Sequence, residues 1–232
     1  MNYAGRLLFT LRKLRFVQCP LQSGNETGTG GEHLTDQAPP QGRIRPILHV
    51  GHPTLRQAAL PVPAAEAGSP AIKQLIDDLI ATMRAASGAG LAANQIGVPV
   101  RVCVIEVKDN PRYPYKPRIP LTVLVNPVIT PLSDELFENN EGCLSVPDLR
   151  GNVMRHVRIR VEALDRDGGP VDLEVSGLSA GTYQHECDHL DGLLFLDRLT
   201  HPGTLATWEQ FTLHHRDRYL ERVNQLVARF GQ

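Results

Sequence analysis

The strand-like segments fall in one block of the chain, between two helix-like segments, and this order restricts the possible folds more than any other feature. The runs rich in β-branched and other apolar residues cover residues 100–107, 122–130, 157–164 and 171–175, and proline, glycine and aspartate turns separate them. No helix lies between successive runs, so the βαβ alternation that builds parallel sheets is absent. The order predicts an α+β fold with antiparallel sheets.

Three helices are predicted around this block. Ser69 is a good N-cap, Pro70 suits the first helical position, and apolar residues at helical spacing then extend the first helix over residues 70–87. The second helix is predicted over residues 177–191. The third follows Pro202 and continues through Thr204 to Arg229. We therefore expect the sheets to pack around the second helix, with one helix on its N-terminal and one on its C-terminal side.

The first 42 residues differ in composition from the rest of the chain. The segment 1–20 is basic and has no acidic residue, and the segment 21–42 is rich in glycine, glutamine, threonine, serine and proline. We predict a flexible N-terminal extension over residues 1–42, a body over 43–200 and a C-terminal helix over 201–232. An untargeted tail is the simpler interpretation of the extension, and an organellar transit segment is the alternative.

Composition excludes several classes of protein. The formal net charge is −1, which is unlike the basic excess of a DNA-binding protein. The chain has no stretch that approaches the roughly 20 apolar residues needed to cross a bilayer, so no membrane partner is expected. Its four cysteines, Cys19, Cys103, Cys143 and Cys187, form no Cys-x-x-Cys pair. Reduced thiols in a cytoplasmic compartment are therefore predicted.

The second predicted helix carries the pattern His-Glu-x-x-His. His185 and His189 are four residues apart, so a helix places both imidazoles on the same face, where they can share one metal ion. Glu186 can then reach a water held by that ion. The alternative is an ordinary helix on which both histidines form hydrogen bonds within the protein and bind no metal.

Spacing alone leaves two candidates for the third metal ligand. Glu209 lies at the distance that one class of zinc metallopeptidase uses, so that activity stays open at this point. Cys143, in the segment Glu141-Gly142-Cys143-Leu144-Ser145, is the other candidate, because a thiolate binds zinc strongly. A non-catalytic metal-binding protein is a further alternative, although a structural site normally has four protein ligands.

A third segment, residues 88–97, contains several small residues directly after the first predicted helix. Small residues allow the backbone to approach a ligand closely. Gln95 adds a neutral amide donor of the kind that stabilises an oxyanion. Taken alone, such a segment is more often an ordinary turn.

These three segments together resemble the motifs of the peptide deformylase family, and the resemblance covers roughly residues 45–200. It implies a hydrolase that removes the formyl group from the N-terminal formyl-methionine of nascent polypeptides and releases formate. It also implies that residues 43–200 are the catalytic domain, and that Cys143, His185 and His189 bind one divalent metal. Fe(II) is the expected ion, with Zn(II), Ni(II) or Co(II) also accommodated.

The resemblance implies further roles around the metal. Glu186 acts as general base, and the Gln95 amide and the backbone N–H of Leu144 hold the developing oxyanion. The substrate-binding residues are expected to be Ala89 and Leu178 in a methionine pocket beside Gly181 and Thr182, Gly90 on the substrate backbone, and Glu141 and Arg150 at the cleft rim. Ala89 and Asn94 depart from the usual family pattern.

The C-terminal segment lies beyond the resemblance, and two interpretations remain open for it. In deformylases the terminal helix can extend from the body and meet the ribosome, and the basic residues of the segment suit RNA. The alternative is a surface helix docked through its apolar stripe, with solvated charges on its outer face. The predicted partners are therefore nascent formyl-methionyl peptides, with the ribosome as a further candidate.

Overall fold

The computed structural model describes residues 42–108 and 114–231 of the chain. The predicted extension lies outside the described residues, apart from Gly42. The strands of the described part are β1 Gly90–Ala92, β2 Val102–Val107, β3 Ile119–Pro131, β4 Leu136–Cys143, β5 Val146–His156, β6 Arg158–Leu164, β7 Pro170–Ser176 and β8 Ala206–Thr207. Its α-helices are α1 Pro70–Ala85, α2 Gly177–Leu190, α3 Trp208–His214 and α4 Arg216–Phe230.

The strands form two antiparallel sheets. The larger sheet has the order β1-β2-β3-β6-β7, and the smaller has the order β4-β5-β8. Strands β4 and β5 form a hairpin whose pairing runs from Leu136 opposite His156 to Cys143 opposite Val146. The α+β prediction with antiparallel sheets is therefore confirmed.

Helix α2 lies at the centre of the fold, as predicted. Every residue of this helix except His185 is buried, and the helix contacts strands of both sheets. Its sequence is only weakly apolar, so many of its polar groups need partners inside the protein. The helix begins at Gly177, which has a positive φ of 62° and donates its N–H to the Val157 carbonyl at 2.8 Å.

Helix α1 begins where its cap residues predict. The Ser69 hydroxyl accepts a hydrogen bond from the Ile72 N–H at 3.4 Å, with proline at the first helical position. The helix ends at Ala85, two residues before the predicted end. Its apolar face, which includes Ile76 and Leu79, packs against β1 and β2.

The fold differs from the sequence prediction most in one pair of strands and in the C-terminal segment. Strands β4 and β5 were not predicted, because buried asparagine, glutamate and arginine residues interrupt the apolar alternation of these strands. The prediction of a single C-terminal helix is wrong. The backbone of His215 leaves the helical region at φ −126°, and this residue separates α3 from α4. Both helices lie against the body through buried residues such as Phe211 and Tyr219.

None of the helices in the described ranges 42–108 and 114–231 is both long and apolar enough to cross a membrane.

Candidate metal centre and active site

Cys143, His185 and His189 meet at one point of the structure. Their candidate ligand atoms all lie within 4.8 Å of one another, and the Cys143 Sγ is 3.2 Å from the His189 Nε2. Cys143 ends strand β4, and the two histidines stand one turn apart on α2, with ring centroids 4.9 Å apart. The helix and the hairpin thus bring together three donors, although Cys143 and His189 are 46 residues apart in the sequence.

The Cys143 thiol is held in a form that can bind a metal. Burial alone would raise its pKa, but the neighbouring His189 and His185 imidazoles outweigh burial and lower the pKa to about 5. The Ser145 N–H also donates a hydrogen bond to the Sγ at 3.3 Å. The thiolate, which is the form that coordinates metals, is therefore favoured at neutral pH.

Glu141 orients His185. Its Oε2 lies 2.8 Å from the His185 Nδ1, so that nitrogen carries the proton and the Nε2 is left for a metal. Two guanidinium nitrogens of Arg155 bond the same carboxylate, each at 2.8 Å. Burial opposes ionisation of Glu141, but the charge and hydrogen bonds of Arg155 outweigh it and hold the Glu141 pKa below its usual range.

Glu186 lies beside the three donors, and one of its carboxylate oxygens, Oε2, is buried and has no hydrogen-bond partner within residues 42–108 and 114–231. Burial raises the pKa of this carboxyl, and the His185 and His189 imidazoles oppose that effect. A buried carboxylate with an unfilled oxygen suits a group that must accept a proton from a reactant. A Cβ built on Gly90 would lie 2.4 Å from the other oxygen, so the space for this carboxylate depends on the glycine.

Gln95 lies close to Cys143. Its Oε1 accepts the Ala92 N–H at 2.8 Å, and its Nε2 lies 3.0 Å from the Ser145 hydroxyl and 3.6 Å from the Cys143 Sγ. Residues 48–50 connect the backbones on either side, because the Leu48 N–H donates to the Gln95 carbonyl and the Val50 N–H donates to the Ser145 carbonyl. The amide of Gln95 is thus fixed next to the donor set.

The cleft over these residues contains most of the predicted substrate-binding residues. Its lining includes Ala89, Gly90, Gln95, Glu141, Leu144, Arg150, Gly181, Thr182 and Glu186. Glu141 and Arg150 were expected at the rim, but both are buried in the wall of the cleft. Leu178 was expected in the methionine pocket, but it packs under α3 and α4 with Phe211 and Tyr219.

Sequence reasoning missed the polar residues that support this site. Arg155 links Glu141 to Asp188, whose Oδ2 accepts the Arg155 Nη1 at 2.6 Å. Lys116 also lines the cleft and donates to the Thr182 hydroxyl at 3.0 Å. No local pattern marks these residues, since each takes its role from a partner on a different element.

The donor set suits a divalent transition metal. One thiolate and two imidazoles are ligands that zinc and iron accept, and three protein ligands leave a position for water. The hydrogen bond from His185 to Glu141 is the kind of outer contact that orients metal-binding imidazoles. Glu209 is exposed on α3 and does not belong to this group of donors, which contradicts the metallopeptidase interpretation.

Comparison with known proteins points to one family. A family model described as polypeptide deformylase matches residues 44–204, which is more than half of the chain. Peptide deformylase 1 of Nitrosomonas europaea is 46% identical over 156 residues, covering 67% of this chain and 88% of that protein. Peptide deformylase 2 of Ralstonia nicotianae is 45% identical over 178 residues, covering 75% of this chain and 99% of that protein.

Solved structures give the same result. A class I type b peptide deformylase from Acinetobacter baumannii, bound to Met-Ala-Ser, superposes with a TM-score of 0.66 at 40% identity. That comparison covers 68% of this chain and 100% of the other. The peptide deformylase of Thermotoga maritima has a TM-score of 0.61 at 33% identity, covering 68% of this chain and 99% of the other.

Proposed function

The chain belongs to the polypeptide deformylase family, whose metal-dependent members remove the formyl group from the N-terminal methionine of nascent peptides, and on this premise we propose how its residues perform that reaction. Cys143, His185 and His189 hold the metal, and Glu186 is the general base. Gln95 and the backbone N–H of Leu144 bind the oxyanion. Membership of an enzyme family also removes the alternative of a non-catalytic metal-binding protein.

One observation carries this proposal: three donors converge within 4.8 Å of one another, and two of them, Cys143 and His185, line a cleft together with Glu186. The Glu186 Oε2 has no hydrogen-bond partner among the described residues. The bound metal supplies Lewis acidity, which makes water a strong nucleophile at neutral pH. A structural site has no need of the buried Glu186 carboxylate next to its ligands.

The protein groups then act in sequence. Glu186 accepts the proton of the attacking water at a carboxylate oxygen and later passes it to the amine that leaves. The Gln95 amide and the Leu144 N–H stabilise the negative charge that develops on the formyl oxygen. The formyl carbon bears only hydrogen besides its amide bond, so a narrow cleft can admit it and exclude bulkier acyl groups.

Substitution of Glu186 by glutamine tests this assignment. An amide cannot accept the water proton, so Glu186→Gln should keep one metal per chain and lose most of its turnover of formyl-Met-Ala-Ser. The matched control is Glu174→Gln, because Glu174 is an exposed glutamate on β7 that pairs with Arg158. Near-normal turnover by Glu186→Gln would reject the proposed base, and acetyl-Met-Ala-Ser should be a poor substrate throughout.

We propose Fe(II) as the native metal, with Zn(II), Ni(II) or Co(II) able to replace it. The support is the mixed thiolate and imidazole donor set, which accepts all four ions. Metal analysis of protein purified without oxygen should find iron at about one ion per chain by the ligand count. Zinc alone, with full activity, would contradict the proposal.

We also propose the ribosome as a partner and the bacterial cytoplasm as the location. The support for the location is that relatives such as peptide deformylase 1 of Nitrosomonas europaea are bacterial. The support for the ribosome is the exposed basic surface of α4, although Arg222 and Arg229 already pair with Glu138 and Glu135. Arg218→Glu should weaken co-sedimentation with ribosomes at low salt, whereas Arg118→Glu, an exposed arginine outside the C-terminal helices, should not. Equal co-sedimentation of both variants would contradict the ribosome proposal. We likewise propose that the N-terminal extension ends at residue 42 and that the catalytic domain ends at residue 200.

A further inference from the structure

Helix α4 is connected to the metal ligand His185 by a chain of buried side chains. The Tyr219 hydroxyl donates to the Asn139 Oδ1 at 2.9 Å, and the Asn139 Nδ2 donates to the Glu141 Oε1 at 3.1 Å. Glu141 then accepts the His185 Nδ1–H at 2.8 Å. Three elements, α4, β4 and α2, thus share one hydrogen-bonded path.

The direction of each hydrogen bond follows from its donors. Burial raises the pKa of Tyr219 well above its usual range, so its hydroxyl stays protonated and can donate. A hydroxyl that donates to the Asn139 oxygen leaves the Asn139 NH₂ facing Glu141. If the amide turned over, its oxygen would face the Glu141 carboxylate, and two acceptors would then oppose each other.

The path is well shielded from water. Tyr219 is 2% exposed, Asn139 4% and Glu141 5%, so solvent cannot replace a lost hydrogen bond without entering the core. The Tyr219 ring also packs edge-on against Tyr115 and Phe211, at centroid distances of 5.5 and 5.7 Å. These contacts hold the hydroxyl in one place.

We propose that Tyr219 is a positioning residue for the metal site: through Asn139 it fixes the Glu141 carboxylate, which in turn fixes the tautomer and orientation of His185. Helix α4 is then part of the machinery that positions the metal site. This inference rests on the proposed role of His185 as a metal ligand.

Tyr219→Phe in the full-length protein tests the inference, because it removes only the hydroxyl. Mutation of a residue that forms a hydrogen bond directly with a metal-binding histidine lowers metal affinity or activity by roughly 10- to 100-fold. Tyr219 is two residues further out, so we expect metal transfer to a chelator to accelerate by about three- to tenfold. The kcat should fall by a similar factor with little change in KM, and the visible spectrum of the Co(II)-loaded protein should shift.

Val223→Ala is the matched control. Val223 lies one turn after Tyr219 on the same buried face of α4 but has no polar link to β4. It should weaken the docking of the helix, measured as a lower denaturation midpoint, while metal release and the Co(II) spectrum stay at wild-type values. If Val223→Ala accelerates metal release as much as Tyr219→Phe does, the helix acts only through packing and the inference is wrong.

A double-mutant cycle tests the path itself. Asn139→Leu should accelerate metal release at least as much as Tyr219→Phe, and combining the two should add nothing further. Additive effects would overturn the proposed path. If the wild-type protein retains no metal, the proposed metal site fails; if it retains metal and Tyr219→Phe releases it at the wild-type rate, only this inference fails.

Discussion

Gly90→Ala should disable the enzyme without unfolding it. A Cβ at position 90 would lie 2.4 Å from the Glu186 Oε1, 2.5 Å from its Cδ and 2.6 Å from its Cγ. Ordinary contacts begin near 3.4 Å, so the carboxylate must move by about 1 Å. A displacement of that size at a reacting group costs on the order of 100-fold in rate.

The expected loss corresponds to about 2.7 kcal/mol of transition-state stabilisation, since each 1.36 kcal/mol is a factor of ten. It should fall on kcat for formyl-Met-Ala-Ser, with metal content unchanged, because Gly90 is not a metal donor. Gly203→Ala is the control: its Cβ would meet only the exposed His201 side chain, so it should keep nearly full activity.

A second substitution distinguishes a clash from a general disturbance. Glu186→Ala removes all three atoms that the new Cβ would meet, namely Oε1, Cδ and Cγ. Gly90→Ala should therefore lower the free energy of unfolding less in the Glu186→Ala background than in the wild-type protein. An equal loss of stability in both backgrounds, or near-normal kcat in Gly90→Ala alone, would refute the steric reasoning.

Three further predictions concern stability and oxidation. Arg155→Met leaves buried Glu141 and Asp188 without their shared cation, so unfolding in denaturant should show a loss of about 3–5 kcal/mol; a loss below 1 kcal/mol would contradict it. The hydrogen bonds from Arg84 lower the pKa of Glu106 to about 2, although burial opposes this effect. The ion pair therefore stabilises the fold fully above the unfolded-state pKa of Glu106, near 4.5, and this stabilisation is lost as the pH falls toward 2. The stability difference between wild type and Glu106→Gln should shrink over that range, and a constant difference would contradict it. Peroxide should inactivate the Fe(II) enzyme faster than the Ni(II) enzyme if the metal is the sensitive group, and equal rates would assign the damage to Cys143.

The sequence predicted the parts of the site that depend on local spacing. His185 and His189 share a face of α2 because they are four residues apart, and Ser69 and Pro70 mark the start of α1 where the structure has it. The prediction that Cys143 is a metal donor rested on its motif. Its position beside the histidines depends on the β4–β5 hairpin, which the apolar pattern did not predict.

The errors have a common physical cause, which is tertiary contact. Asn139 and Glu141 lie in a strand that lacks apolar alternation. These polar residues can be buried there because Tyr219, Arg155 and His185, from distant elements, form hydrogen bonds with them. Leu178 faces the helices α3 and α4 instead of the cleft because Phe211 and Tyr219 cover it. No spacing rule specifies such partners.

The central claim is that Cys143, His185 and His189 hold one catalytic metal. Anomalous diffraction from crystals of the iron- or zinc-loaded protein tests this claim directly. We expect one strong peak at roughly 2.3 Å from the Cys143 Sγ and 2.0–2.1 Å from one nitrogen of each histidine, with the Glu186 carboxylate close but outside the ligand set. A peak away from Cys143, or one in which Glu209 takes the third position, would contradict the account.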